Sequence, residues 1–169
     1  MPNEIEIRPA TTEDIPAIGM LAQNIWPVAY RGLLTEDQLQ YMLRLFYNPA
    51  ALYQQMMEKG HHFLMVDIDE EPVGFASYSA IEPVGTFKLH KLYVRTDIQG
   101  KGIGRALIDA VIDDILPLGA NSLILNVKRD NDKAIEFYKR LGFSILCNED
   151  IDIGNGYFLV DYRMEKKLT

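Results

Sequence analysis

Leu89-His90-Lys91-Leu92-Tyr93-Val94-Arg95-Thr96-Asp97-Ile98-Gln99-Gly100-Lys101-Gly102-Ile103-Gly104-Arg105 decides how the chain is read. Its first half is strand-like, with apolar Leu89, Leu92 and Val94 beside aromatic Tyr93. Arg95-Thr96-Asp97 continues neither a strand nor a helix well. Three glycines follow at alternate positions, Gly100, Gly102 and Gly104, with the cations Lys101 and Arg105 among them. Ala106, Leu107, Ala110, Val111 and Ile115 then recur at helical spacing. A strand, a glycine-rich turn and a helix start make an anion cradle. Glycines let the backbone approach closely, first-turn N–H groups lack partners within the helix, and the helix dipole favours negative charge.

Two nucleotide-binding patterns fail here. A P-loop needs a hydroxyl residue after its lysine, and Gly102 follows Lys101. A dinucleotide fold puts its first glycine directly after the strand and an acid about 20 residues past the turn. In this chain Arg95 to Gln99 intervene, and the residues around Ile124 are apolar.

Length and composition bound the rest. The 169 residues suit one domain, 1–169, with a proper core. Apolar content of 48% and charged content of 24% are those of ordinary globular material. A net charge of −7 argues against a nucleic-acid partner and mildly favours cationic ones. The single cysteine, Cys147, excludes an internal disulfide and a CxxC metal site, so no metal is expected. Its apolar neighbours Phe143, Ile145 and Leu146 lead us to expect a buried thiol. No signal peptide or membrane span is visible, which makes the cytoplasm the default expectation.

The chain begins with an alternating strand, Glu4 to Arg8, ended by Pro9. Thr11 or Thr12 caps a helix carrying Ile15, Ile18, Leu21, Ala22 and Ile25, which Pro27 breaks or kinks. Helices follow from Thr35 to Phe46 and from Asn48-Pro49 to Gly60. Three strands come next, His61–Ile68, Val73–Ile81 and Thr86–Val94, and then the glycine turn and its helix. Ser122–Val127 is a buried-type strand that forms a parallel βαβ unit with the strand before the turn. A helix opens at Asn131 and stops at Gly142, a good C′ residue. Phe143–Cys147 is a strand, 148–156 an acidic hairpin connection, and Tyr157–Met164 the last strand. The fold class is a mixed α/β sheet, antiparallel at both ends with a parallel pair in the middle.

Two segments carry a resemblance to a known family. Gln99-Gly100-Lys101-Gly102-Ile103-Gly104 is similar to the Gln/Arg-x-x-Gly-x-Gly/Ala motif of the GNAT superfamily of N-acetyltransferases. Asn131-Asp132-Lys133-Ala134-Ile135-Glu136-Phe137-Tyr138, continuing to Gly142-Phe143, resembles that family's second signature. The resemblance spans essentially the whole chain. It implies a GNAT fold of about seven strands with a splayed central parallel pair, and acetyl-CoA as cofactor. It further implies that backbone N–H groups from Gln99 through Gly100, Lys101, Gly102, Ile103 and Gly104 to Arg105 hold the pyrophosphate. Leu92, Tyr93 and Val94 would pair with the pantetheine arm, Asn126 would lie at the splay, and Asn131 would contact the pantetheine or phosphate region. Tyr138 matches the tyrosine that serves as general acid to the departing thiolate and also lies against the cofactor.

The implied reaction is direct attack of an amine on a thioester. It needs a proton acceptor, a donor to the carbonyl oxygen and a proton for sulfur. A backbone N–H at Val94 could be that donor, and a phenol can protonate a thiolate. Many relatives carry a glutamate base in the strand before the turn; here Lys88 and His90 occupy the comparable positions. His90 is the candidate base by its ordinary near-neutral pKa, with a water chain or bulk solvent as alternatives. The acceptor side in this family is covered by the early helices and the last hairpin. Trp26, Tyr30 and Glu36, with the hairpin acids Glu149, Asp150 and Asp152, would suit a small cationic amine. In this, and in its length, the chain is similar to bacterial spermidine/spermine acetyltransferases. The acids also read as a solvated face, and the alternatives to a small-amine enzyme are a protein or peptide acetyltransferase and a non-catalytic CoA-binding sensor. The resemblance and the apolar C-terminal hairpin lead us to expect a homodimer.

Overall fold

The computed structural model describes residues 4–169. Its strands are β1 (Ile5–Pro9), β2 (His62–Ile68), β3 (Glu71–Ile81), β4 (Thr86–Val94), β5 (Ser122–Lys128), β6 (Ser144–Gly154) and β7 (Tyr157–Lys167). Its helices are α1 (Ile15–Ala29), α2 (Glu36–Tyr47), α3 (Pro49–Met57), α4 (Ile103–Ile115) and α5 (Asp132–Arg140). The strand order is β1-β2-β3-β4-β5-β7-β6, with β4 and β5 parallel and the pairs β1–β2, β2–β3, β5–β7 and β6–β7 antiparallel. Seven strands and a central parallel pair are therefore as expected from the sequence.

Backbone proximity divides the chain into two compact units. The first runs to Ser79 and takes in Lys91–Val111. In it β2 and β3 are nearly continuously apolar, and Met65, Val66, Phe75 and Ala76 are fully buried. Ile18, Ala22, Leu43, Leu52 and Leu107 are fully buried as well. Each such Leu or Ile contributes about 1.5–3 kcal/mol by leaving water. Gly74 sets the approach of β3 to the end of β4. A Cβ there would stand 2.7 Å from the Tyr93 carbonyl oxygen and 3.2 Å from the Val94 Cα. Only a residue without a side chain allows that spacing.

Pro27 does not break α1, which runs through it to Ala29. Proline removes one N–H and crowds the carbonyl four residues back. Only two helical residues follow Pro27, so the cost falls on a terminal turn, and the Tyr30 N–H still reaches the Trp26 carbonyl at 3.0 Å.

The second unit comprises Ala80–His90 and Ile112–Thr169. Leu123, Leu125 and Met164 are its fully buried strand residues. In the β4–β5 ladder Thr86, Phe87, Lys88 and Leu89 pair with Ser122, Leu123, Ile124 and Leu125. Both strands continue past that point, β4 to Val94 and β5 to Lys128. The remaining β5 residues Asn126, Val127 and Lys128 pair with Arg163, Tyr162 and Asp161 of β7.

Two expectations are corrected in this unit. The 148–156 segment is not a connection: β6 continues to Gly154, with Glu149, Asp150 and Ile151 opposite Asp161, Val160 and Leu159. The turn is confined to Asn155 and Gly156, and these and Gly154 before them have positive φ. Alternation through Ile151 and Ile153 favours strand pairing, and a turn this short fixes the register. Cys147 is exposed, not buried. It lies on β6, the edge strand, whose neighbours Ile145 and Leu146 are also exposed.

Candidate active site

In the first unit, β4 ends at Val94, and a single 3-10 turn, Thr96–Ile98, leads into the glycines. The Gln99 side chain donates to the Val94 carbonyl at 3.3 Å, tying the turn back to the strand. Arg95 is held by Asp97 and Glu71. Gly100 and Gly102 have φ of 88° and 78°, and a Cβ at either would meet nothing within 4 Å. They are glycine for conformation and lie against open space. α4 then starts at Ile103, which is buried. Lys101 and Arg105 are exposed. Residues Gln99 to Arg105 thus combine open backbone, a helix start and two cations, which fits a pyrophosphate.

Tyr93 is the centre of an aromatic cluster in the same unit. Its ring lies 5.6 Å from Trp26, 6.5 Å from Tyr30 and 5.8 Å from Phe75. The Tyr30 and Tyr93 phenol oxygens are hydrogen-bonded at 2.8 Å. Trp26 is only 3% exposed and also packs on Tyr47. Of the expected acceptor wall, Trp26 is therefore core and Tyr30 is half-buried against β4. Glu36 is exposed in the first turn of α2 and accepts from Gln40 at 3.1 Å. Leu92 is half-buried, and Val94 is buried.

Sequence reasoning passed over Lys91, which is 9% exposed. Its ammonium lies 5.3 Å from the Tyr47 ring centre and 5.8 Å from that of Phe63. Burial, with a smaller contribution from Lys59, pushes its pKa down to about 8. Strand alternation could have flagged it: Phe87, Leu89 and Lys91 share one face.

The second unit carries the other expected residues. Asn131 caps α5, its Oδ1 accepting from the Ala134 N–H at 3.3 Å. At the other end Gly142, at φ 97°, is the left-handed C′ residue. The Phe143 N–H donates to the Tyr138 carbonyl at 3.0 Å and the Gly142 N–H to that of Lys139 at 3.0 Å. The Phe143 ring closes the motif on the Tyr138 ring at 5.7 Å. The second signature is thus the punctuation of one helix, and it fixes where the Tyr138 ring stands. His90 is half-buried on the β4 face that carries Lys88.

Asn126 lies in a polar cluster. Its Nδ2 donates to Glu149 at 2.9 Å and Asp161 at 3.3 Å. Arg163 pairs with Glu149 at 3.2 Å. Asp161 is 6% exposed, and burial holds its carboxyl above the ordinary range. Lys88 is half-buried; burial, then Arg163, lowers its pKa, while Glu149 and Asp161 act against the shift. The other hairpin acids are engaged locally: Asp150 pairs with Arg129, and Asp152 accepts from the Gly154 N–H.

The glycine cradle behind a strand end, in the first unit, and the capped helix bearing Tyr138, in the second, are the two segments on which the resemblance to N-acetyltransferases rests. Residues 24–143 match the Acetyltransferase (GNAT) family, and the chain belongs to it. It is 38% identical over 122 residues to an uncharacterized N-acetyltransferase of Methanocaldococcus jannaschii, covering 68% of this chain and 51% of that protein. It is 27% identical to a spermidine N(1)-acetyltransferase of Thermoplasma acidophilum, covering 96% and 97% of the two chains. The PaiA N-acetyltransferase of Thermoplasma acidophilum, solved in complex with coenzyme A, superposes with a TM-score of 0.83 at 26% identity, covering 97% and 99%. The chain spans 36% to 59% of the length of the first curated relatives it matches. Among the described residues, no helix is long and apolar enough to cross a membrane.

Proposed function

We propose that the chain is an acetyl-CoA-dependent N-acetyltransferase, one catalytic domain over 1–169, acting on the primary amine of a small molecule in the cytoplasm. The observation that carries this reading is the glycine turn at the end of β4. β4 stops at Val94, and Gly100 and Gly102 stand at positive φ against open space before α4 begins at Ile103. The backbone of Leu92, Tyr93 and Val94 would bind the pantetheine arm there, and the Val94 N–H would donate to the thioester carbonyl oxygen. Backbone N–H groups from Gln99 to Arg105 would hold the pyrophosphate, with Lys101 and Arg105 adding charge. Tyr138 would give its proton to the departing sulfur, and His90 would take one from the acceptor ammonium, directly or through water. Asn131 would act chiefly by capping α5. Likeness to a spermidine acetyltransferase over the whole chain supports a small-amine acceptor, polyamines included. The exposed apolar residues of β6 and β7, Leu146 and Phe158 among them, support a homodimer.

Removing both turn cations tests the cradle. In Lys101→Ala/Arg105→Ala the affinity for acetyl-CoA falls about 10-fold or more, because each loses a charge-assisted contact to phosphate. Both residues are exposed, so the melting temperature stays near that of wild type. Calorimetric titration checks this, and unchanged affinity would place the pyrophosphate elsewhere.

A further inference from the structure

One sheet face of the second unit holds an unusual balance of charge. Asn126 and Cys147 stand opposite Arg163 in register, and Glu149 stands opposite Asp161. Lys88, opposite Ile124, is on the same face. Lys88 lies within electrostatic reach of Arg163, Glu149 and Asp161. These four groups carry two positive and two negative formal charges. A purely cationic ligand would meet Lys88 and Arg163; a purely anionic one would meet Glu149 and Asp161. A ligand carrying both signs meets complementary partners.

Accessibility points the same way. Lys88 is half-buried and lies in no salt bridge among the described residues. The Arg163 and Glu149 side chains, paired at 3.2 Å, are 29% and 28% exposed. Lys88 and Arg163 suit a carboxylate, and Glu149 suits an ammonium.

We propose that this face selects an acceptor that is a primary amine also bearing a carboxylate, an amino-acid-type zwitterion. Lys88 and the part-exposed Arg163 guanidinium hold the carboxylate, and the amine lies toward Glu149. The proposal rests on the acetyltransferase reading and narrows its substrate. His90, two residues beyond Lys88 on the same strand face, places the candidate base beside the selecting group.

The test compares matched amines at fixed acetyl-CoA: glycine, β-alanine, 6-aminohexanoate and leucine, each against its carboxamide, together with isoamylamine and spermidine. With wild type, kcat/KM for at least one acid exceeds that of its amide about 10-fold or more. Lys88→Met raises KM for that acid, erases the preference and leaves acetyl-CoA affinity unchanged. Amides turned over as well as acids, or spermidine preferred over every acid, overturns the proposal. So does a Lys88→Met variant that lowers acid and amide equally. Where no amine is turned over, the acetyltransferase reading has failed, and calorimetric binding in the presence of CoA decides the face by itself. An acid binding about 10-fold tighter than its amide supports it, and equal or absent binding overturns it.

Discussion

Tyr138→Phe lowers kcat about 100-fold and leaves acetyl-CoA affinity close to that of wild type. In the proposed mechanism the phenol hydroxyl serves the reaction: the thiolate leaving the thioester needs a proton, and a positioned general acid is worth about that factor. The ring is what the fold uses. It packs on Phe137 at 5.3 Å and on Phe143 at 5.7 Å, and phenylalanine keeps both contacts. The helix stop also remains, because the Tyr138 carbonyl, not its side chain, accepts from the Leu141 and Phe143 N–H groups. A loss of kcat with unchanged melting temperature separates chemistry from packing. Steady-state kinetics with calorimetric titration checks this, and full activity in Tyr138→Phe removes Tyr138 from the mechanism.

Lys91→Met stabilises the protein at pH 7 by about 1–3 kcal/mol. The lysine ammonium is nearly buried, and its pKa falls from 10.5 to about 8. That shift is worth about 3 kcal/mol against the charged form, which the Tyr47 and Phe63 ring faces partly offset. The pH dependence follows from the sign. With its folded pKa below its unfolded one, Lys91 binds fewer protons in the native state, so stability rises with pH between about 8 and 10.5. Methionine fills similar volume and does not titrate. Urea melts of both proteins from pH 7 to 9.5 are the check. The wild type gains on the variant above pH 8; parallel curves refute a buried ammonium.

Why a protein keeps such a lysine bears on how far its sequence can be read. The glycine turn and the Asn131–Phe143 segment were legible because their residues are conformational. Gly102 and Gly142 take positive φ, and Asn131 caps α5. Such roles are local, so they survive reading one residue at a time. The local sequence makes Cys147 a buried thiol, but burial depends on which strand lies at the edge, and the local sequence does not encode that order. Residues 148–156 read as a hairpin connection because acids and glycines punctuate them. Glu149 and Asp150 instead find Arg163 and Arg129, 14 and 21 residues away. The Lys88, Asn126, Asp161 and Arg163 cluster gathers β4, β5 and β7, and no window of sequence holds it. Trp26 reads as a binding wall because a tryptophan beside irregular sequence is ambiguous; its partners Tyr47 and Tyr93 are distant in the chain.

Release of CoA thiol from acetyl-CoA, followed alongside the mass of the acceptor, is the most direct test of acetyl transfer. With the intact chain, at least one small primary amine accelerates release above the solvent rate and is recovered as its N-acetyl derivative. Acetyl-CoA that binds tightly while no amine in a panel of amino acids, polyamines and peptide N-termini accelerates release would contradict the account and leave a CoA-binding sensor in its place.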